Sequence, residues 1–275
     1  MSTVLVVGGS GLLGRELVRQ ALTAGHATTA TYHRQAAPIP GAAWRALDIR
    51  DRAAVAALAG EVRPDVVVNA AYQQGDWATT ADGGMHVAAA AAAAGARLVH
   101  VSSDAVFSGA AESYAETSPP DPVTPYGAAK AAAETAVAGL DPAAIIARTS
   151  LIVGGGESLH ETFTHALAAG TASGALFTDD LRCPVDVGDL AAALLELAAS
   201  AHRGVHHVAG ADAVSRHELG TLIARRDGLD PSRLPAASRA AAGIPGPLAV
   251  RLDCAATQAR LAIRLRGARE FLQAA

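Results

Sequence analysis

The chain has 275 residues, a formal net charge of −4, 51% hydrophobic and 17% charged residues, and two cysteines. No basic run marks a nucleic-acid partner, and neither a basic-then-apolar leader nor an apolar stretch long enough to span a bilayer marks a membrane or secreted protein. Cys183 and Cys254 lie far apart without a CxxC neighbour, which excludes a disulfide framework and a zinc knuckle. The expectation is a cytoplasmic protein that acts on a small-molecule substrate, with no nucleic acid, membrane or metal involved and with a homodimer left open.

The chain opens with an apolar run, Val4-Leu5-Val6-Val7, then a glycine turn from Gly8 to Gly14, then a helical pattern from Arg15 to Ala24 closed by Gly25. Strand, turn and amphipathic helix make the first half of a βαβ unit. Gly8 serves the tight turn, Gly11 the approach of backbone to a pyrophosphate, and Gly14 the contact between helix and strand. The helix N-terminus adds unpaired N–H groups, so Gly8, Ser10, Gly11, Leu12, Leu13 and Gly14 are the expected contacts of a dinucleotide. Ala27 to Tyr32 read as the second strand. An acidic residue at its end would bind the ribose hydroxyls of NAD, but Tyr32-His33-Arg34 stand there instead. His33 and Arg34 therefore favour NADP(H), with Arg34 on a 2′-phosphate, and NAD(H) is the alternative.

A third strand from Trp44 to Leu47 brings Asp48 and Ile49 to the adenine ring. Pro64 to Tyr72 read as a buried fourth strand ending Ala70-Ala71-Tyr72, where small residues let a cofactor lie against the backbone. The alanine run from Ala88 to Ala94 suits a helix lying close to a sheet. The strand Arg97 to Val101 then delivers Ser102-Ser103-Asp104 to the carboxyl edge, where ligands bind in such sheets. Ser103 is the choice for holding a substrate carbonyl, with Ser102 as its competitor.

In the next helix Thr124 is the cap, Pro125 takes the first position, and Tyr126 and Lys130 share one face. Lys130 is the only lysine in the chain. An ammonium within a few ångström of a phenol favours the phenolate, which makes Tyr126 a candidate acid or base. The alternation continues through Ala144 to Val153, a helix from Leu190 to Ala198 preceded by Asp186 and Asp189, and Val205 to Val208. The fold class is α/β, a doubly wound parallel sheet of Rossmann type with a small interleaved C-terminal substrate lobe. Residues 1–153, completed by about 183–210, form the NADP-binding core; about 154–182 and 211–275 form the lobe. His206 and His207, adjacent on a strand, point to opposite faces, so with His202 they make no metal site. Asp179-Asp180 read as a polar turn. Trp77, His160 and Phe163 suit either the substrate cleft or the core.

These residues resemble the extended short-chain dehydrogenase/reductase superfamily, and within it the dTDP-4-dehydrorhamnose reductase group. The resemblance runs through Gly8–Gly14, Val101–Phe107, Tyr126–Lys130 with Glu134, Arg148-Thr149-Ser150, Phe177–Pro184, Asp189-Leu190-Ala191 and Arg251-Leu252-Asp253. It implies an NADPH-dependent reductase of a ketone, a nucleotide-linked 4-keto-6-deoxy sugar, with Ser103 in the Ser/Thr position, Tyr126 as proton donor and Lys130 on the ribose. By the same resemblance Asp104 and Leu151 would meet substrate. The chain departs from the group at Leu151-Ile152-Val153, where Trp-Val-Tyr is usual, at Met85-His86 in place of Val-Asn, and at Gly246-Pro247 in place of Arg-Pro. The alternatives are a reductase of a small ketone without a nucleotide, a sugar-nucleotide epimerase or dehydratase, and a non-catalytic NADP-binding regulatory subunit.

Overall fold

Apolar positions that recur every second residue in some segments and every third or fourth in others alternate strand with helix along most of the chain. A computed structural model describes residues 1–273. Its first half contains Thr3–Val7 (β1), Leu12–Thr23 (α1), Ala27–Tyr32 (β2), Ala43–Ala46 (β3), Arg52–Val62 (α2), Val66–Asn69 (β4), Gly83–Ala94 (α3), Arg97–Ser103 (β5), Pro125–Leu140 (α4) and Ile145–Thr149 (β6). There follow Ile152–Val153 (β7), Leu159–Ala169 (α5), Leu176–Phe177 (β8), Leu181–Arg182 (β9), Val185–Asp186 (β10), Val187–Ala199 (α6), Gly204–His207 (β11), Val214–Ser215 (β12), Arg216–Arg226 (α7) and Ala236–Ala237 (β13).

Seven strands build one sheet in the order β11-β6-β5-β4-β1-β2-β3, and every pair in it is parallel. The order turns back at β1, with β2 and β3 on one side and β4, β5, β6 and β11 on the other. A crevice therefore opens beyond the carboxyl ends of β1 and β4, where such sheets bind ligands. Side chains of β1 alternate between two cores. Val4 and Val6 pack with Leu17 of α1 and Leu190 and Leu194 of α6; Leu5 and Val7 pack with Val55 of α2, Val87 of α3 and Val137 of α4. Each such side chain contributes about 1.5–3 kcal/mol on burial, so these two layers hold the helices to the sheet. The alanines of α3 fit close packing: a Cβ at Gly84 would stand 3.2 Å from the Ala133 Cβ of α4.

The structure corrects several boundaries. β4 stops at Asn69 instead of Tyr72, because the Asn69 side chain takes the Ala71 N–H at 3.2 Å and turns the backbone out of the sheet. β6 ends at Thr149, and the expected continuation to Val153 is broken at Ser150, whose hydroxyl donates to Asp104 at 2.6 Å. Beyond that break β7 pairs with β10, outside the main sheet. α1 begins at Leu12, three residues before the expected start, and a π-helical turn at Ala78–Asp82 leads into α3. β11 pairs with β6, which returns the chain to the sheet edge. Residues before and after that return make two smaller pairings, β8 with β13 and β9 with β12, and α5 packs beside α7.

Candidate active site

A cleft of about 910 Å³ lies over the carboxyl ends of β1, β2 and β4. Gly8, Ser10, Gly11, His33, Arg34, Asp48, Ile49, Ala70, Ala71 and Tyr72 line it, ten of the residues expected at a dinucleotide. Gly8 has φ +83°, and a Cβ there would stand 2.8 Å from the Ala71 nitrogen. Gly14 lies behind the turn, where a Cβ would meet the Gly8 carbonyl oxygen at 2.1 Å. At Gly11 the only protein atom within reach of such a Cβ is the same carbonyl oxygen, at 3.5 Å, so this glycine faces open space. α1 has no side-chain cap, which leaves its first N–H groups without a side-chain partner at the edge of the cleft that Gly11 lines. Leu12 and Leu13 are outside the lining, and the Leu13 side chain is in the core, which leaves only their backbone for the expected role.

Several cleft residues escaped the sequence reading. Arg50 grips Asp48 through two nitrogens at 2.6–3.1 Å and holds that carboxyl down to about 2, with His33 at 3.6 Å assisting. Arg15 also faces the cleft and pairs with Glu157. Arg34 is exposed and has no ion pair among the described residues, so its guanidinium is free to meet an anion. Gly9 was overlooked as well: a Cβ there would strike the Ala30 Cβ at 2.7 Å. The Gly8-Gly9 doublet was the available signal.

Tyr126 and Lys130 lie beside this cleft. Thr124 caps α4 by accepting from the Gly127 N–H at 3.1 Å, as its sequence position required. Gly127 lets the helix end press against the turn after β5, since a Cβ there would be 2.0 Å from the Ala105 carbonyl oxygen. That contact brings the Tyr126 phenol beside Ser103, whose hydroxyl favours the phenolate. The Ser103 hydroxyl donates to Asp104 at 3.2 Å and accepts from the Ala105 N–H at 3.1 Å. Ser102, its competitor, is buried and donates to Glu134, away from the cleft. The Tyr126 ring stands 5.8 Å from the ring of Tyr72, which lines the cleft.

The electrostatics differ from the sequence expectation. Lys130 is 3% exposed and turns inward, donating to the Val101 carbonyl at 2.9 Å with its nitrogen 5.2 Å from the Tyr72 ring centre. Burial lowers it to about 8, against the pull of Glu134. The Tyr126 phenol is pushed up, first by burial and then by Tyr72 and Asp104; only Ser103 draws it down. The expected acidification of the phenol by the lysine is therefore overturned: the phenol keeps its proton at neutral pH. Beneath the pair, Glu134 and Arg148 form a buried ion pair at 2.8 Å. His100, alongside, is driven down to about 3 by burial and by the charge of Lys130, and is neutral.

A second cavity, of about 420 Å³, opens between α5, α7 and β8, with His160, Phe163 and Phe177 on its walls. Asp180 at its floor is 2% exposed, ion-paired with Arg182 at 2.7 Å, Arg239 at 2.8 Å and Arg216 at 3.4 Å. The polar turn expected at Asp179-Asp180 is thus half right. Asp179 accepts from Ser238 and the Arg239 N–H, whereas Asp180 is a buried hub. Arg182 also reaches Asp104 at 3.6 Å, which links the two sites. Asp104 is 5% exposed and engaged by Ser103, Ser150 and Arg182, so it supports Ser103 from behind. Leu151 packs beside the Val153, Val214 and Leu219 cluster and lines neither cavity. Trp77 is exposed outside both. His206 and His207 diverge, one to Thr257 and the other to the Asp253 carbonyl.

A protein-family model described as the RmlD substrate binding domain matches residues 1–275. A dTDP-4-dehydrorhamnose reductase of Mycobacterium tuberculosis (strain ATCC 25618 / H37Rv) is 34% identical over 261 residues, covering 89% of this chain and 82% of that protein. The crystal structure of a hypothetical dTDP-4-dehydrorhamnose reductase from Sulfolobus tokodaii, 28% identical, aligns with a TM-score of 0.83 over 96% of each chain. A dTDP-4-dehydrorhamnose reductase from Bacillus anthracis in complex with NADP, 23% identical, shares the fold, with a TM-score of 0.82 over 98% of this chain and 97% of that one. With a match along its whole length and relatives of this identity, the chain belongs to the RmlD substrate binding domain family, alongside the dTDP-4-dehydrorhamnose reductases.

Proposed function

We propose that the protein reduces a ketone with NADPH, the substrate being a nucleotide-linked 4-keto-6-deoxy sugar and the reacting carbonyl the one at C4. The observation that carries this reading is the placement of Tyr126 and Ser103 side by side, next to a glycine-turned cleft at the point where the strand order reverses. Support for the cofactor comes from the open space at Gly11, the uncapped start of α1 and the unpaired Arg34, which suits a 2′-phosphate. The family relatives support the sugar-nucleotide class.

The nicotinamide, when bound, supplies the hydride. Tyr126 gives its proton to the oxygen that becomes an alkoxide, and a phenol raised by burial is in the protonated state this task needs. Ser103 offers its hydroxyl to the same oxygen and so orients the carbonyl. Lys130 gives one N–H to Val101 and keeps two for a ribose hydroxyl. Asp104 fixes the rotamer of Ser103. Segments 154–182 and 211–275 serve as the substrate lobe, and the enzyme works in the cytoplasm.

NADPH oxidation measured across dTDP-linked 4-keto-6-deoxy sugars and unlinked small ketones tests this reading. Turnover confined to the linked compounds is expected. Turnover of the unlinked ketones alone would overturn the substrate class, and none with any ketone would overturn the reaction.

A further inference from the structure

The second cavity joins two chemistries. Phe163, Leu176, Phe177 and Ile244 make its walls apolar, and Arg216 and Arg239 stand at one end over Asp180. Three guanidiniums, Arg182, Arg216 and Arg239, face two buried carboxylates, Asp180 and Asp104, which leaves an excess of one positive charge. Asp179, the third carboxylate nearby, lies on the solvent side and is taken up by Ser238 and by backbone N–H groups of Arg239 and Ala240. Arg239 gives three N–H groups to Asp180, Ile244 and Pro245, so two of its five remain for a ligand. Its guanidinium carbon lies 6.0 Å from the centre of the Phe177 ring. Such an end wall suits a bidentate anion beside a flat apolar group.

The path of the chain explains how Arg239 gets there. Gly246 has φ +131°, and a Cβ at this position would lie 2.3 Å from Arg239 Nη2 and 3.0 Å from its Cζ. The guanidinium therefore occupies the space in which a side chain at 246 would begin. We propose that Arg239 is the specificity-determining residue of the second cavity, binding the diphosphate of a nucleotide-linked substrate from the volume that glycine at 246 leaves open. The proposal rests on the sugar-nucleotide reading above and assigns that substrate's anionic arm to a named side chain. Asp180 holds the guanidinium in place, and through Arg182 and Asp104 the same buried chain of charges reaches Ser103.

The test is calorimetric titration of dTDP and of thymidine onto the NADPH-saturated protein, so that the nucleotide cleft is filled. The wild type is expected to bind dTDP at least about tenfold more tightly than thymidine, and Arg239→Gln to lose about ten- to hundredfold for dTDP with little change for thymidine. Equal binding of the two probes by the wild type, which needs no variant, overturns the proposal. So does wild-type affinity for dTDP in an Arg239→Gln protein that melts normally. If Arg239→Gln does not fold, Gly246→Ala provides the second variant, since its methyl would displace the guanidinium and must produce the same selective loss. Failure of turnover with every ketone, alongside the expected dTDP pattern, would reject the reaction and keep this site. Reduction of a linked ketone with an unchanged KM in Arg239→Gln would reject the site and keep the reaction.

Discussion

Replacing Glu134 by Gln tests how the scaffold under the reactive pair is held. Glu134 lies one turn beyond Lys130 on α4 and accepts from Ser102 of β5 and from Arg148 of β6, with Arg148 distances of 2.8–3.1 Å. Both members of the ion pair are buried, their side chains 3% and 5% exposed. The amide keeps the shape but leaves a buried guanidinium without its counter-charge, a change that costs about 3–5 kcal/mol. At about 2–4 °C per kcal/mol for a chain near this length, the melting temperature should fall by about 6–20 °C. Removing both members, as in Glu134→Leu with Arg148→Met, should recover part of that loss, because the unpaired charge is gone. The same carboxylate raises Lys130, so the upper pH limb of activity should move to lower pH in Glu134→Gln. Urea and thermal unfolding, with a pH profile of kcat, are the assays. A loss below about 1 kcal/mol together with an unmoved limb would refute the reasoning, since it would class the pair with solvent-exposed ion pairs.

Lys130 is held down to about 8 from 10.5, so its charge is present below that pH and lost above it; kcat should decline as pH rises through about 8, while Lys130→Met should lack this limb. Between about 8 and 10.5 the native chain binds fewer protons than the unfolded one, so this group makes stability rise with pH in that window, and denaturant titrations of wild type against Lys130→Met will show it. Arg34→Ala should weaken NADPH binding by about tenfold or more and leave NADH binding unchanged in fluorescence titrations. Gly127→Ala places a methyl 2.0 Å from the Ala105 carbonyl oxygen, so α4 must shift. That variant should lose about 1–3 kcal/mol of stability and at least about tenfold in kcat, measured by unfolding and steady-state assays.

Local signals were the legible part of the sequence. Thr124-Pro125 gave the start of α4 and the Gly8–Gly14 spacing gave the tight turn beside the cleft, because caps and tight turns are decided by adjacent residues. Strand ends were read too long at Asn69 and Ser150, where a side-chain hydrogen bond, not a change of hydrophobic pattern, stops the ladder. Helical spacing correctly put Tyr126 and Lys130 on one face but could not show that the ammonium would turn in to Val101, or that burial would govern the phenol. Asp180 was misread as part of a polar turn because its partners, Arg216 and Arg239, are 36 and 59 residues away in the chain. Leu151 was placed against substrate by position in the motif; the break at Ser150 sends it to the α7 side instead.

Tyr126→Phe is the variant that bears most directly on the chemistry. Among the described residues no hydrogen bond ties the phenol to the core, and its ring lies 5.8 Å from that of Tyr72, so the ring should stay in place and the cleft should keep its shape. Stopped-flow and steady-state assays with NADPH and a dTDP-linked 4-keto-6-deoxy sugar should show kcat lower by about 10²–10⁴, with NADPH affinity within about twofold of wild type. Wild-type turnover in Tyr126→Phe would contradict the assignment of the proton donor and, with it, the reductase mechanism built on this site.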